Sequence, residues 1–193
     1  MSGMGASGAS DAAGGRGRRA EAAGYVVRDM RLSDAADVGW VHVEVWRQAY
    51  ASLMPVDILG ALDPQAAVER WRKTLAQPPD GVRRLVGVAP SGEVVAVAMS
   101  GPSRDEDAPT PWELWAVNVL DAHHGSGLSD LLMEQLVGDE PATLWVVQGN
   151  ERAVAFYHRH GFRADGTAKW DQRTGTNEDR MVRTSPRASP SLR

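Results

Sequence analysis

The 193-residue sequence contains no cysteine, so it has no disulfide, no thiolate metal site and no cysteine nucleophile. It also lacks an apolar run of about 18 residues, the length that a membrane-spanning helix needs, so no membrane association is expected. The arginines near the N-terminus are not followed by an apolar segment, so a secretory signal is not expected either. A cytoplasmic protein fits these absences, and a composition that is 42% hydrophobic with seven tryptophans is typical of a globular fold.

Charge is distributed unevenly along the chain. The formal net charge is −4, and because residues 1–24 contribute +1 and residues 184–193 contribute +2, residues 25–183 carry about −7. An acidic folded part argues against nucleic acid as a partner and modestly favours cationic ligands by electrostatic steering. The basic segment RGRR at 16–19 can contact an anion or stay solvated, and its surroundings favour solvation.

Both ends of the chain are predicted to be disordered. Residues 1–24 consist mainly of Gly, Ala, Ser and Arg, and so few large apolar side chains cannot offset the entropy of ordering the segment. Residues 184–193 have a similar composition. We therefore expect a single domain over residues 25–183 between two disordered tails.

Helix-like and strand-like segments alternate between the tails. A first helix is predicted after an N-cap at Ser33, with Val38, Val41, Val45 and Ala49 on one face, and further helices at 63–77, 126–137 and 151–160. Strand patterns lie at 25–31, 83–89, 93–101, 112–120, 142–149, 167–172 and 178–184. The strand 112–120, the helix 126–137 and the strand 142–149 follow one another closely, which predicts a right-handed parallel crossover.

A glycine-containing segment, HHGSGLSDLL at 123–132, joins the strand 112–120 to the next helix. It places successive backbone N–H groups at a helix N-terminus, where the dipole favours an anion, and glycine lets a ligand approach the backbone. The Gly-Lys-Ser/Thr triplet of a P-loop is missing, and Asp130 occupies the position of a third Rossmann glycine. These residues alone leave a phosphate-binding loop and a ligand-free turn equally open.

A second segment, NERAVAFYHRHGF at 150–162, shifts this balance. It resembles the signature Asn-x-x-Ala-x-x-Phe-Tyr-x-x-x-Gly-Phe of the GNAT superfamily of acetyl-CoA-dependent N-acetyltransferases. The loop 124–129 is similar to the pyrophosphate loop of that family, Arg/Gln-x-x-Gly-x-Gly/Ala, with Gly127 as the central glycine. His124 replaces the Arg or Gln of the pattern, and Ser129 replaces its last small residue. The resemblance extends from residue 25 to about residue 183.

The resemblance implies an α/β (α+β) fold with a mixed, mostly antiparallel sheet of six to seven strands and flanking helices. Its fourth and fifth strands, 112–120 and 142–149, would splay apart around the pantetheine arm of acetyl-CoA. Backbone groups at a bulge near Val117 would polarise the thioester carbonyl, and those near Val119 would pair with the pantetheine amides. Asn150 would cap its helix and contact the cofactor. The residues implied to hold the pyrophosphate are His124, Gly125, Ser126, Gly127, Leu128 and Ser129.

The same resemblance assigns two catalytic residues. Tyr157 would act as a general acid that protonates the departing thiolate, and the alternative is a core tyrosine packed beside Ala153 and Phe156. Glu113 resembles the carboxylate that accepts the proton of the amine, although a surface or edge glutamate explains it equally well. No metal is expected.

The acceptor side is less defined by the sequence. His42, Trp46 and Tyr50 recur every four residues, which makes Trp46 and Tyr50 candidate substrate-binding residues and leaves an ordinary core or groove stripe open. The predicted reaction is acetyl transfer from acetyl-CoA to the primary amine of a small molecule by direct attack in a ternary complex. The alternatives are a peptide or protein N-acetyltransferase and a catalytically silent acyl-CoA-binding regulator. We expect a monomer or homodimer.

Overall fold

A computed structural model describes residues 7–184, with side chains described from residue 15 onward. One sheet contains seven strands in the spatial order β1-β2-β3-β4-β5-β7-β6, and every neighbouring pair is antiparallel except β4–β5. The strands are β1 (Val26–Asp29), β2 (Arg83–Val88), β3 (Val94–Pro102), β4 (Trp112–Val119), β5 (Ala142–Val147), β6 (Arg163–Asp171) and β7 (Thr176–Arg183). This arrangement confirms the predicted mixed, mostly antiparallel sheet.

Helices cover both faces of the sheet. Their bounds are α1 (Ser7–Ala22), α2 (Ala35–Ala49), α3 (Val56–Gly60), α4 (Pro64–Ala76), α5 (Leu128–Leu136) and α6 (Glu151–Arg159). One apolar cluster joins α2 and α4 to one face around Val38, Val86 and Val97. A larger cluster joins α5 to the other face around Leu132 and Phe162. None of the described helices combines the length and apolar character needed to cross a membrane.

The helix α1 corrects the prediction of a disordered N-terminal tail over 1–24. It packs against α5, where Gly17 and Ala20 are buried. The composition argument counted large apolar side chains, whereas Gly and Ala allow close helix–helix contact and lose almost no side-chain entropy on burial. Residues 1–6 of that predicted tail, and residues 185–193 of the C-terminal one, lie outside the described part of the chain.

The strands β4 and β5 pair only briefly. Their parallel register contains two residue pairs, Glu113 with Thr143 and Leu114 with Leu144. Beyond Leu114, β4 continues along β3 while β5 continues along β7, so the two strands diverge towards their C-terminal ends. The expected splaying of the fourth and fifth strands is thereby confirmed.

Close packing between α2 and α4 depends on Gly39. A Cβ added at Gly39 would lie 2.7 Å from the backbone nitrogen of Val68, which cannot move without shifting α4. We expect Gly39→Ala to lower the free energy of unfolding by about 1–3 kcal/mol, the usual range for overpacking. Chemical denaturation measures this change.

The matched control is Gly60→Ala in α3, because a Cβ at Gly60 meets nothing within 4 Å. This variant should be neutral or gain up to about 1 kcal/mol from helix propensity. Equal stability of the two variants would contradict the packing argument.

Candidate active site

Two cavities open where β4 and β5 diverge. One, of about 340 Å³, lies on the side of the glycine loop, and the other, of about 450 Å³, lies beneath α2 and the β6–β7 hairpin. We name them the loop cavity and the hairpin cavity. Their shared lining residues are Tyr50, Trp115, Asn118, Trp145, Asn150, Ala153 and Tyr157. Two ligands in these cavities would therefore meet at this shared wall.

Backbone groups of β4 face the gap between the strands. The N–H of Leu120 donates to the carbonyl of Val95 on β3. Backbone N–H and C=O groups of alternate residues point to opposite edges of a strand, so those of Val117 and Val119 point away from β3 and into the gap. Both residues line the loop cavity. The carbonyl of Val119 is already engaged by the His124 ring, with Nε2 at 2.9 Å. Val117 therefore offers the less encumbered backbone groups.

The bulge in β4 lies two residues before its predicted place. The β3–β4 register passes from Ser100–Leu114 to Met99–Ala116, which leaves Trp115 as the extra residue. Val117, near which the bulge was expected, itself pairs regularly with Ala98. The bulge turns Trp115 into the wall shared by the two cavities, where its indole Nε1 is buried without a partner among the described residues.

The glycine loop has the geometry of an anion site. Gly125 and Gly127 adopt φ values of +76° and +92°, which side chains rarely tolerate. The backbone N–H groups of Gly127 and Ser129 donate to no acceptor within residues 7–184. They stand at the N-terminus of the nine-residue α5, where the helix dipole adds a partial positive charge.

Ser126 and Leu128, which were predicted to hold the pyrophosphate, have a structural role. Leu128 is fully buried in the core, and its N–H donates to the Ser126 hydroxyl, which itself donates to the carbonyl of His123. Neither Ser126 nor Leu128 lines the loop cavity, because both point into the turn or the core, whereas His124, Gly125, Gly127 and Ser129 line it.

His124 is held by two neighbours. The Val119 carbonyl can only accept, so Nε2–H donates to it, and the Arg152 guanidinium can only donate, so Nδ1 accepts from it at 2.7 Å. Asp121 lies 3.5 Å from the same guanidinium. The ring therefore anchors the loop to β4.

Asn150 lies at the N-terminus of α6, and Tyr157 lies near its C-terminal end. The Asn150 side chain accepts from the N–H of Ala153, which confirms its capping role, and the residue also lines both cavities. The Tyr157 hydroxyl makes no hydrogen bond with any described residue. Burial raises the pKa of Tyr157 well above its usual value, and Tyr50 adds to the effect, so the hydroxyl stays protonated.

Glu113 does not reach either cavity, which removes the geometric basis for its predicted catalytic part. It lies in the closed stretch of β4 that still pairs with β5, and it is 1% exposed. Its carboxylate accepts from the backbone N–H of Arg104 at 2.9 Å and forms an ion pair with the Arg104 guanidinium. A carboxylate held this way is a structural partner rather than a proton acceptor for a ligand.

Glu178 is the carboxylate that the sequence analysis missed. It lies on β7 beside Val147, at the diverging end of β5, and lines the hairpin cavity. It has no hydrogen bond or ion pair with any described residue, and burial, followed by the charge of Asp171, raises the pKa of its carboxyl. The register between β5 and β7 places Glu178 at this position. The alternation of residues along a strand does not predict that register.

Aromatic residues of α2 line the hairpin cavity as their spacing suggested. His42 stacks on Trp46 at 5.1 Å between ring centroids, and Trp46 meets Tyr50 edge-on at 5.7 Å. Burial lowers the pKa of His42 to about 4, with smaller contributions from Arg70 and Arg173, so the ring is neutral at pH 7. Its Nδ1 is buried without a partner among the described residues.

The cations of the hairpin cavity are already engaged. Arg104 pairs with Glu113, and Arg173 pairs with Asp171 at 2.8 Å. Lys169 lies 3.8 Å above the Trp145 ring and 3.6 Å from Asp105. Glu178 is therefore the unengaged charge in this lining, and it is negative.

The class of protein follows from this fold and from the sequence. The Acetyltransferase (GNAT) family profile matches residues 40–162, which include most of α2, the glycine loop and α6. The chain belongs to this family and is an acyltransferase. The predicted resemblance is confirmed.

Particular relatives agree with this assignment. The chain is 29% identical over 140 residues to the uncharacterized N-acetyltransferase YuaI of Bacillus subtilis strain 168, covering 69% of this chain and 78% of the relative. Its fold is similar to a Corynebacterium glutamicum structure described as histone acetyltransferase HPA2 and related acetyltransferase, with a TM-score of 0.62 and 21% identity. The similarity covers 87% of this chain and 99% of that one. It is also similar to the PaiA N-acetyltransferase of Thermoplasma acidophilum in complex with coenzyme A, with a TM-score of 0.59, 13% identity and coverage of 81% and 97%.

Proposed function

We propose that this protein transfers an acetyl group from acetyl-CoA to the primary amine of a small molecule by direct attack within a ternary complex. The observation that carries the proposal is the pair of cavities meeting at Tyr157. One cavity has an anion-binding loop at its mouth, and the other has an unpartnered carboxylate.

The residues of the loop cavity fit coenzyme A. Gly127 and Ser129 offer free N–H groups for a phosphate, and the side chains of Arg16, Arg152 and Arg159 supply positive charge around them. The outward-facing amides of β4 suit the amide groups of a pantetheine arm. Acetyl-CoA, when bound, supplies a thioester whose carbonyl carbon accepts a nucleophile.

The proposed reaction balances without a further reactant. The neutral amine nitrogen attacks the thioester carbonyl carbon, the C–N bond forms, and the C–S bond breaks with its electron pair leaving on sulfur. One proton leaves the amine nitrogen and one proton arrives at the sulfur. The protein therefore needs a proton acceptor on the amine side and a proton donor on the thiol side.

Tyr157 is the proposed proton donor. It lies on the wall common to both cavities and is protonated at neutral pH. The thiolate that leaves is a base, since thiols have pKa values of about 8.5. Its position on the wall shared by the two cavities, rather than unusual acidity, is what suits Tyr157 to this task.

Glu178 replaces Glu113 as the proposed proton acceptor. An alkylamine has a pKa of about 10 and arrives largely as a cation, which an unpaired carboxylate attracts. The cation loses its first proton to solvent, and Glu178 takes the proton that leaves the neutral amine as the C–N bond forms. The raised pKa of Glu178 makes it a stronger base than an ordinary glutamate. The aromatic faces of Trp46 and Tyr50 add cation–π attraction in the same cavity.

The size of the hairpin cavity supports a small acceptor. About 450 Å³ falls in the range of small-molecule sites, and residues 169–174 at the β6–β7 turn lie over it. A peptide would need an open groove on this side.

A thiol-release assay tests the proposed function. Because the chain contains no cysteine, a thiol reagent added to protein, acetyl-CoA and an acceptor detects only released CoA. We expect release with at least one small primary amine, and faster than with lysine-containing or free N-terminal peptides. Release with peptides alone would replace the small-molecule acceptor, and CoA binding without any release would indicate a silent acyl-CoA-binding protein.

The variant Tyr157→Phe tests the proton donor. The hydroxyl has no partner among the described residues, so its removal breaks no structural hydrogen bond. We expect kcat to fall by about 10²–10⁴-fold, the usual contribution of general acid catalysis. Calorimetry should find unchanged CoA affinity, and an unchanged kcat would remove Tyr157 from this task.

The pair Glu178→Gln and Glu113→Gln tests the proton acceptor. Glu178 works only when ionised, so kcat/KM should fall as the pH drops through its pKa, which lies above the ordinary glutamate value of about 4.3. Glu178→Gln should lower kcat/KM and abolish this acidic limb.

Glu113→Gln is the matched control. It weakens the ion pair between the buried Glu113 and the exposed Arg104, so it should lower the unfolding temperature while the acidic limb persists. Loss of the limb in Glu113→Gln, with retention in Glu178→Gln, would reverse the assignment.

A further inference from the structure

The helix α1 lies directly against the glycine loop. A Cβ added at Gly127 would lie 2.0 Å from the carbonyl oxygen of Arg16 and 3.5 Å from the Cβ of Ala20. Gly127 therefore serves two purposes, since its φ of +92° shapes the loop and its missing side chain admits α1. The contact places the middle of α1 at the mouth of the loop cavity.

Arg16 lines the loop cavity, whereas Arg18 and Arg19 on the same helix do not. All three side chains are exposed. Arg16 makes no hydrogen bond or ion pair with any residue that the structure describes, so its five N–H donors are available to a ligand. Helix α1 thus carries one arginine that lines the loop cavity and two arginines that do not.

The rest of the mouth is also basic. Arg152 and Arg159 of α6 line the same cavity. The one carboxylate in the lining, Asp130, is buried and lies 3.1 Å from His160 Nε2, and Asp121, outside the lining, lies 3.5 Å from the Arg152 guanidinium. Three guanidinium groups around one loop, in a chain of net charge −4, favour a ligand with several negative charges.

We propose that Arg16 of α1 binds the phosphate groups of coenzyme A at the glycine loop, so that the N-terminal helix completes the cofactor site. The inference rests on the proposed use of acetyl-CoA. It assigns α1 a binding purpose, because docking of Gly17 and Ala20 on α5 is what carries the Arg16 guanidinium to the loop.

Isothermal titration calorimetry of the full chain with CoA tests this assignment. Arg16→Ala should weaken CoA binding about tenfold, the usual contribution of one charge-assisted hydrogen bond. Arg18→Ala is the matched control, since it removes the same charge from the same helix outside the cavity. Arg16→Lys should recover part of the affinity, and the Arg16→Ala deficit should shrink at high salt.

Two analogues of CoA locate the contact. With 3′-dephospho-CoA, an Arg16→Ala deficit that disappears assigns Arg16 to the 3′-phosphate, and one that persists assigns it to the pyrophosphate. Acetylpantetheine, which has no phosphate, should bind the wild type and Arg16→Ala equally.

The outcomes separate this inference from the proposed function. Absence of CoA binding to the wild-type protein would defeat both. Wild-type binding with an equal loss in Arg16→Ala and Arg18→Ala would overturn the Arg16 contact alone. Tighter binding by Arg16→Ala would also overturn it, because α1 would then hinder the cofactor. The exposed side chains make unchanged unfolding temperatures the expected folding control for both variants.

Discussion

The short pairing between β4 and β5 is the constraint on which the site depends. Two parallel residue pairs hold the strands together at Glu113 and Leu114, and the strands then separate, each remaining paired on its other side. Backbone groups of β4 that face the gap lack a neighbouring strand, and such groups require other partners. The crossover through α5 also brings the N-terminus of that helix to the C-terminal end of β4. The divergence thus sets an open strand edge, an anion-binding loop and Tyr157 around one gap.

The two cavities differ in their charged side chains. Three arginines line the loop cavity, while the hairpin cavity holds Glu178 and the aromatic residues of α2 beside cations that already pair with carboxylates. Glu113 belongs to neither because it sits before the strands part, where its buried carboxylate needs Arg104 as a partner. Glu113, which lies on β4 before the gap, therefore stabilises the fold. Glu178, which lies on β7, two strands from β4 in the sheet, lines the hairpin cavity.

Several features were accessible from the sequence because they are local. Apolar periodicity located the hairpins, the crossover and the amphipathic α5, and the segment 150–162 identified the family. The capping of α6 by Asn150 also follows from neighbouring residues. The disorder predicted for residues 7–22 was wrong because the benefit of burying Gly17 and Ala20 exists only against α5, more than 100 residues away.

The sequence by itself determined the strands, four of the six helices described and the family, since these depend on contacts within a few positions. Tertiary structure decided which side chains face the gap. A shift of one residue in a strand reverses its faces, so the bulge at Trp115 and the register of β7 place Trp115 and Glu178 in the lining. Packing of α1 likewise brings Arg16 to the loop. Both effects come from non-local contacts, which local periodicity does not encode.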